Sequence, residues 1–322
     1  MKPMKTVRAV LMTAALGSML PALPAAAEGY PSRTVEAIHQ FGPGGGTDRF
    51  IRAIGEPFQE ITGQTLVPIS VQGGGGVPAA VTFMQRPNDG YSLMAVGPEQ
   101  VINHVLGRMK MDDLRPIARI QYDQGLFLVS KDSPIETIDD LVRIAREQSG
   151  ALKVAITGTA GFDDTLVGLW NLKSGAELTT VPFSASEMVS NTLGGHVDLM
   201  YEEYGPARGL IESGDLRPLV VFSDFRLPVL GDVPTAAELG FDVTLGRWRG
   251  FALHAADDET TGNTLFGILD RAAASKSYKT IETESGLQFR SEVLGPNQFA
   301  DFVKHEIEIY TDVLKQLGYV EQ

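Results

Sequence analysis

The sequence contains no cysteine, and this absence removes several kinds of chemistry. Neither disulfide bonds nor a cysteine nucleophile is available, so a folded chain depends on the size of its hydrophobic core. Basic residues are also scarce: 27 Lys and Arg stand against 40 Asp and Glu, which gives a formal net charge of −13. Because nucleic-acid binding requires a concentrated basic face, this balance argues against a nucleic-acid partner.

Signatures of catalysis and of bound cofactors are missing as well. The five histidines are scattered without the spacing of a zinc site, so the sequence predicts no metal site. No G-x-S-x-G nucleophile elbow occurs. The glycine-rich stretches lack both the Lys-Ser/Thr of a phosphate-binding Walker loop and a dinucleotide fingerprint, so no cofactor is predicted. A secreted α/β enzyme acting on an anionic substrate stays open as an alternative, without an identified nucleophile, base or metal set.

The N-terminus has the three parts of a secretion signal. Lys2, Lys5 and Arg8 precede an apolar stretch, residues 9–20, which is too short to span a bilayer comfortably. Residues 24–27, Pro-Ala-Ala-Ala, supply small side chains for a signal peptidase. We therefore expect residues 1–27 to be a signal peptide that is cleaved after Ala27, and the alternative is an uncleaved anchor.

What the chain does contain is a strand, a glycine loop and a helix in direct succession. Residues 34–40 alternate in polarity, residues 41–48 read Phe-Gly-Pro-Gly-Gly-Gly-Thr-Asp, and residues 49–59 have a helical pattern. This order aims backbone N–H groups and a positive helix end at one spot, as an anion site requires. Thr47 or Asp48 is expected to cap the helix. The competing interpretation is an ordinary tight turn between a strand and a helix.

The same pattern recurs along the chain. Predicted strands at 66–71 and 91–96 end at the glycines of residues 73–76 and at Gly97-Pro98, and further strand–loop–helix units follow from residue 153. In open α/β sheets, ligands bind outside the carboxyl ends of the strands. We expect two α/β domains, with chain crossings near Ser130 and within the extended segment 243–253, so that the C-terminus completes the first domain. A cleft between such domains is a preferred ligand site.

Five motifs in this order resemble the substrate-binding proteins of tripartite tricarboxylate transporters, the Bug/TctC family. They occupy residues 30–33, 41–48, 88–93, 193–200 and 232–240, and the resemblance covers essentially the whole mature chain. It implies an α/β, two-lobed periplasmic binding protein of type II-like fold, each lobe a central β-sheet flanked by helices, with a hinge between the lobes. Lobe 1 is then residues 28–130 plus 248–322, and lobe 2 is residues 131–247.

The resemblance also implies a function. The expected protein is a monomeric periplasmic receptor without catalysis, cofactor or metal, which closes on a small carboxylate and delivers it to membrane permease subunits. A receptor that feeds a sensory protein is the alternative. The ligand stays open among dicarboxylates, tricarboxylates, aromatic acids, amino acids and vitamin-like acids.

The predicted ligand contacts lie on loops of both lobes and at one strand end. They are Pro43, Gly44, Gly45, Gly46, Thr47, Asp48, Gly73, Gly74, Gly75, Gly97 and Pro98 in the first lobe, and Thr157, Gly158, Thr159, Ala160, Gly161, Phe183, Ser184, Ala185, Glu202 and Glu203 in the second.

Two of these places depart from the family pattern. The segment 183–185 lacks the Tyr and the Lys or Arg that often follow Val-Pro in the family, so a hydroxyl and a cation are missing there. Glu202 and Glu203 would repel an anionic distal group or hold an ammonium group. Arg247 and Arg249 are candidates to offset these acids, although solvated side chains are the simpler expectation for them, as core packing is for the intervening Trp248.

Overall fold

The structure, a computed structural model, describes residues 29–321, which form ten strands and ten α-helices. The predicted signal peptide, residues 1–27, lies outside the described residues. The strands are β1 (Val35–His39), β2 (Leu66–Ser70), β3 (Ser92–Val96), β4 (Leu114–Asp123), β5 (Gly125–Ser130), β6 (Lys153–Ile156), β7 (Thr179–Pro182), β8 (Leu199–Glu203), β9 (Leu216–Val221) and β10 (Arg247–His254). The helices are α1 (Gly46–Thr62), α2 (Val77–Met84), α3 (Pro98–Val105), α4 (Ile138–Glu147), α5 (Phe162–Ser174), α6 (Ala185–Leu193), α7 (Tyr204–Glu212), α8 (Glu259–Ala273), α9 (Lys276–Glu284) and α10 (Pro296–Gln316).

The strands form two five-stranded sheets of the same design. Their orders are β2-β1-β3-β10-β4 and β7-β6-β8-β5-β9. In each sheet three parallel strands lie beside one antiparallel strand that is inserted next to the edge: β10 in the first and β5 in the second. We call the elements around these sheets the first and second lobes. The predicted α/β, two-lobed fold is confirmed.

Helix ends follow the local sequence closely. In α1 the residues Phe50, Ile51, Ile54 and Phe58 are buried on one face, and the helix ends at Gly63 with φ 71°. The sequence predicts capping boxes at residues 137–140 and 184–187, and both are confirmed. At the start of α4, Thr137 Oγ1 accepts from Asp140 N and the Asp140 carboxylate accepts from Thr137 N. At the start of α6, the Glu187 carboxylate accepts from Ser184 N.

The chain passes between the sheets earlier than the sequence analysis predicts. β4 ends at Asp123 in the first sheet, and β5 begins at Gly125 in the second, so the crossing lies at Gln124 rather than near Ser130. β4 and β5 form one nearly unbroken buried run, and the change of sheet falls at the short sequence Asp123-Gln124-Gly125 within it. The return lies before Arg247, since β10 pairs with β3 and β4.

Two further local predictions are wrong. From the sequence, residues 232–235 predict the cap of a short helix that ends at Gly240. The segment instead forms turns, although Thr235 and Glu238 exchange the hydrogen bonds of a capping box. The sequence analysis also omits α9, a short, mostly polar helix whose pattern is weak.

The C-terminal helix α10 connects the lobes. Along most of its length it packs on α3 and β4 of the first lobe, where Trp248 is fully buried and donates from its indole nitrogen to Glu306 Oε2 at 2.7 Å. The expected core packing of Trp248 is confirmed. Just beyond α10, Leu317 packs against Gly168 of α5, and the hydroxyl of Tyr319 lies 3.4 Å from Asp164 Oδ2. Within residues 29–321, no helix has both the length and the apolar character needed to span a bilayer.

Candidate ligand-binding cleft

Six helices begin where the parallel strands of the two sheets end. α1, α2 and α3 belong to the first lobe, and α5, α6 and α7 to the second. The first residues of three of them, Gly46, Phe162 and Ala185, line two cavities between the lobes. Because helix N-termini present unpaired N–H groups and a partial positive charge, this edge is suited to an anion.

The first glycine loop, residues 41–48, turns β1 into α1. Gly45 is the N-cap and has no side chain with which to cap the helix. The predicted caps are therefore wrong: Thr47 and Asp48 lie within the first turn. The Asp48 carboxylate accepts from Gly44 N at 3.0 Å and from Arg52 Nε at 2.9 Å, which fixes the loop from its outer side. The N-cap residue itself thus contributes no side chain at this end of α1, and the side chains of Arg249 and Glu203 lie against the next residue, Gly46.

The second glycine loop, residues 73–76, turns β2 into α2 with four successive positive φ angles, between 56° and 92°. Only glycine adopts such a run easily. A side chain at Gly76 would overlap the amide of Gln40. Asn103 Nδ2 donates to Gly75 O at 2.7 Å and so holds the loop from α3. The loop therefore presents bare backbone to the cleft, with the guanidinium of Arg108 beside Gly75.

The second lobe faces these loops with two of its own. In the loop of residues 157–161, Ala160 has a φ of 53°, and its backbone N donates to Asp164 Oδ2 at 2.7 Å. Thr157 donates from its backbone N at 2.8 Å and from Oγ1 at 2.6 Å to Asp163 Oδ2. At the start of α6, the side chain of Ala185 reaches the first lobe, since a β-carbon on Gly45 would lie 4.0 Å from its own.

The space between the loops consists of two adjoining cavities of about 280 Å³ and about 540 Å³. Gln40, Phe41, Gly73 and Thr157 line both. The smaller cavity extends from the first glycine loop to Glu202 and Glu203, and the larger one extends from the second glycine loop and Arg108 to the 157–161 loop.

Buried charged residues form the floor of the smaller cavity, and they join the lobes. Arg247 Nε lies 2.9 Å from Glu203 Oε1, its Nη2 lies 3.1 Å from Glu99 Oε1, and it also contacts Asp163. Every one of these side chains is at most 6% exposed. The expectation that Arg247 is a solvated end is wrong, because three carboxylates surround it in the interior.

Arg249 continues this group, which we call the ion cluster (Glu99, Asp123, Asp163, Glu203, Arg247 and Arg249). It donates from Nη2 to Glu203 Oε2 at 2.9 Å, approaches Asp123 Oδ2 at 3.6 Å and donates from Nε to Thr47 Oγ1 at 3.3 Å. Arg249 is buried too, so the expectation of a solvated side chain is wrong for it as well. A side chain at Gly46 would overlap its guanidinium.

The surroundings push the pKa values of these acids apart. Burial, together with repulsion from Glu203, raises the pKa of Asp123 to about 8. The same two causes raise the pKa of Glu202 well above its usual value. Burial opposes ionisation of Glu203 as well, but Arg249 and Arg247 hold its pKa below the usual value. Glu203 is therefore the most acidic of these three groups, and burial favours the protonated forms of Asp123 and Glu202.

The cleft brings together most of the predicted contacts and leaves five outside its lining. Pro43 and Gly44 are exposed on the outer side of the first loop, where Asp48 fixes the turn. Gly97 and Pro98 are buried below the floor of the smaller cavity, and Gly97 N already donates to Gln100 Oε1 at 2.8 Å.

The structure adds cleft residues that the sequence analysis did not name as contacts: Gln40, Phe41, Gly42, Gln72, Gly76, Glu99, Arg108, Phe162, Arg247 and Arg249. Several of them adjoin a predicted loop, so loop boundaries drawn one or two residues wider would have found them. Arg108 carries no such signal, because it lies beyond the end of α3. Within the described chain, no three His, Asp or Glu side chains are grouped as a metal site requires.

Comparison with known proteins places this architecture in a family. BugT from Bordetella pertussis is 27% identical over 308 residues, which cover 92% of this chain and 93% of BugT. MatC from Rhodopseudomonas palustris, solved with bound malate, is 25% identical with a TM-score of 0.80 and covers 88% of this chain and 100% of its own. The periplasmic binding protein BugD, 23% identical, has the same fold with a TM-score of 0.84 over 91% of this chain and 100% of its own.

The family model described as the tripartite tricarboxylate transporter family receptor, TctC, matches residues 50–319. The resemblance seen in the sequence motifs is thereby confirmed. The chain belongs to the TctC family of tripartite tricarboxylate transporter receptors.

Proposed function

We propose that this protein is a periplasmic receptor that captures a small carboxylate between its lobes and delivers it, unaltered, to the permease subunits of a tripartite tricarboxylate transporter. One observation carries the proposal: bare glycine backbone of the first lobe faces the backbone of the 157–161 loop of the second lobe across a cavity. The family supports it, and so does MatC, a relative that was solved with malate.

Within the cleft, the proposed seat of the carboxylate is the larger cavity, between the second glycine loop and the start of α5. Gly161 is the N-cap of α5 and covers the helix end with no side chain. The N-terminus of α2, which follows Gly76, has no acidic residue in its first turn. Arg108 is the nearest cation. An anion here meets N–H groups from both lobes, so its binding favours the closed arrangement.

The first glycine loop is a less suitable seat than the sequence analysis expects. Gly46 is the residue of this loop that faces the ion cluster, and a β-carbon on it would overlap the guanidinium of Arg249 and lie 3.0 Å from Glu203 Oε2. The paired side chains of Arg249 and Glu203 therefore fill the space against Gly46 that a ligand carboxylate would need. We therefore assign the first loop to the distal part of the ligand.

The proposal also includes the cleavage site, the oligomeric state and the hinge of the protein. The mature protein begins after Ala27 and acts as a monomer, with its hinge at Gln124 and in the segment that precedes Arg247. Mass spectrometry of the periplasmic protein tests the cleavage site, and light scattering tests the monomer.

The function is tested by calorimetry and thermal shift against a panel of small acids. A ligand at a hundred times its Kd stabilises the fold by about 2.7 kcal/mol. Nuclear magnetic resonance of the ligand after prolonged incubation must show it intact. If no small carboxylate in the panel stabilises the protein, or if the bound acid is converted, the proposal fails.

The seat of the carboxylate is tested with Arg108→Ala. We expect carboxylate affinity to fall about tenfold, because a charge-assisted hydrogen bond is lost. Arg143→Ala, which removes an exposed arginine of α4 far from the cleft, is the matched control and leaves affinity unchanged. Equal affinities for both variants contradict the assignment.

A further inference from the structure

The helix ends around the cleft are already matched by acids of the protein itself. Of the six helices that begin at this edge, all but α2 carry a carboxylate at the N-cap or in the first turn: Asp48 in α1, Glu99 in α3, Asp163 in α5, Glu187 in α6 and Glu203 at the N-cap of α7. Such acids neutralise the positive ends of the helix dipoles. The helix ends therefore attract a second anionic group much less than bare ends would.

The buried arginines of the floor are equally occupied. Arg247 is held by Glu99, Asp163 and Glu203, and Arg249 by Glu203 and Asp123. Two guanidinium groups thus face four carboxyl groups. Neither has a free edge to offer to a ligand carboxylate, because a bidentate arginine–carboxylate pair requires both donors of one edge.

Glu202 adds a further acid to the wall of the same cavity. It lies beside Glu203 at the end of β8, and its Oε1 accepts from Glu203 N at 3.0 Å. The charged groups that face it are Glu203 of its own strand, Asp163 of α5, and Arg247 and Arg249 of β10. Both arginines are engaged by Glu203 and by the other carboxyl groups of the ion cluster, so Glu202 has no ion pair among the described residues.

The two cavities therefore differ in polarity. The larger cavity is lined by glycine backbone, the acid-free N-terminus of α2 and Arg108, and the acid in its lining, Glu99, is paired with Arg247. The smaller cavity is lined by Glu202, Glu203, Arg247 and Arg249, and both oxygens of Glu203 are paired with the two arginines. On the proposed function, we infer that the ligand is a small zwitterion: a carboxylate bound at the second glycine loop and an ammonium group bound at Glu202. Dicarboxylates and tricarboxylates are disfavoured by the same arrangement.

Ligand pairs that differ only at one end test this inference on the unmodified protein. Succinate is compared with 4-aminobutanoate, glutarate with 5-aminopentanoate, and adipate with 6-aminohexanoate, by calorimetry at pH 7. The amino acid of the best-fitting pair is expected to bind about 30-fold more tightly than its dicarboxylate, because an ammonium–carboxylate pair replaces a like-charge contact. A dicarboxylate that binds as tightly as its partner, or more tightly, overturns the inference but leaves the proposed function in place. If no acid of either kind binds, both fail.

Proton release provides a second readout. Burial and the adjacent Glu203 raise the pKa of Glu202 in the free protein, whereas an ammonium group bound beside it lowers that pKa. Binding of the amino acid is expected to release a proton, which is measured by calorimetry in two buffers of different ionisation enthalpy. Glu202→Gln abolishes both the release and the preference within the ligand pair. Glu60→Gln, an exposed acid of α1, keeps both. Proton uptake, or an unchanged preference in Glu202→Gln, contradicts the inference.

Discussion

Replacing Arg247 with methionine tests the energetic role of the ion cluster most directly. The substitution removes the cation that Glu99, Asp163 and Glu203 share, and it leaves three buried carboxyl groups with one fewer partner. Breaking a buried ion pair from one side costs about 3–5 kcal/mol. For a chain of this size that corresponds to a melting temperature lower by roughly 6–15 °C. Unfolding in urea, followed by circular dichroism at pH 7, measures the loss.

The loss of unfolding free energy caused by Arg247→Met should depend on pH in a definite direction. Without the cation, the pKa values of the buried carboxyl groups rise above those of the unfolded chain, so the folded variant binds more protons than the unfolded one between pH 5 and pH 7. Its stability therefore rises relative to the unmodified protein as the pH falls. The double variant Arg247→Met/Glu203→Gln should lose less than the sum of the single variants, because the two residues are in contact.

An exposed arginine serves as the control for this series. Arg143 forms only solvent-exposed pairs with Asp140 and Glu147 on α4, and such pairs contribute about 0–1 kcal/mol. Arg143→Met is expected to unfold like the unmodified protein at every pH. A loss below about 1 kcal/mol for Arg247→Met, well under the buried-pair range, or a loss that does not vary with pH, would refute the reasoning.

Two further predictions concern other parts of the molecule. Gly46→Ala places a methyl group against the guanidinium of Arg249 and is expected to weaken ligand binding about tenfold or more, whereas Gly267→Ala, at an open helix position, should leave affinity unchanged; equal affinities by calorimetry contradict this. Burial raises the pKa of Glu306 to about 7, so its ionisation destabilises the fold as the pH rises from about 4.5 through 7. Glu306→Gln keeps an acceptor for Trp248 and should be more stable than the unmodified protein at pH 8 by roughly 1–3 kcal/mol, with no gain at pH 4; a gain of equal size at both pH values, measured by urea unfolding, excludes this cause.

Local signals in the sequence located most of the cleft. The glycines of residues 42–46 and 73–76 directly follow predicted strands, and chain chirality places the ends of parallel strands at one edge, so these loops had to converge. The capping boxes at Thr137 and Ser184 are equally local, because each involves residues three positions apart.

The remaining features depend on contacts between distant residues. Arg247 pairs with Glu99, Asp163 and Glu203, which are 44 to 148 positions away, and no periodicity in the sequence records such an arrangement. The burial of these four side chains likewise results from the contact between the two lobes. The crossing at Gln124 was missed because buried strands precede and follow it, and a short break such as Asp123-Gln124-Gly125 equally suits a turn between two strands of one sheet.

The C-terminal segment after α10 has a practical consequence for biosensor design. Leu317 and Tyr319 belong to a chain end anchored on the first lobe, yet they contact α5 of the second. Separation of the lobes must break these contacts, so the surroundings of a fluorophore near residue 319 would change each time the lobes open. A dye attached there reports ligand capture without altering a residue of the cleft. A bulky C-terminal fusion, in contrast, would hold the C-terminal segment away from α5 and bias the protein toward the open form.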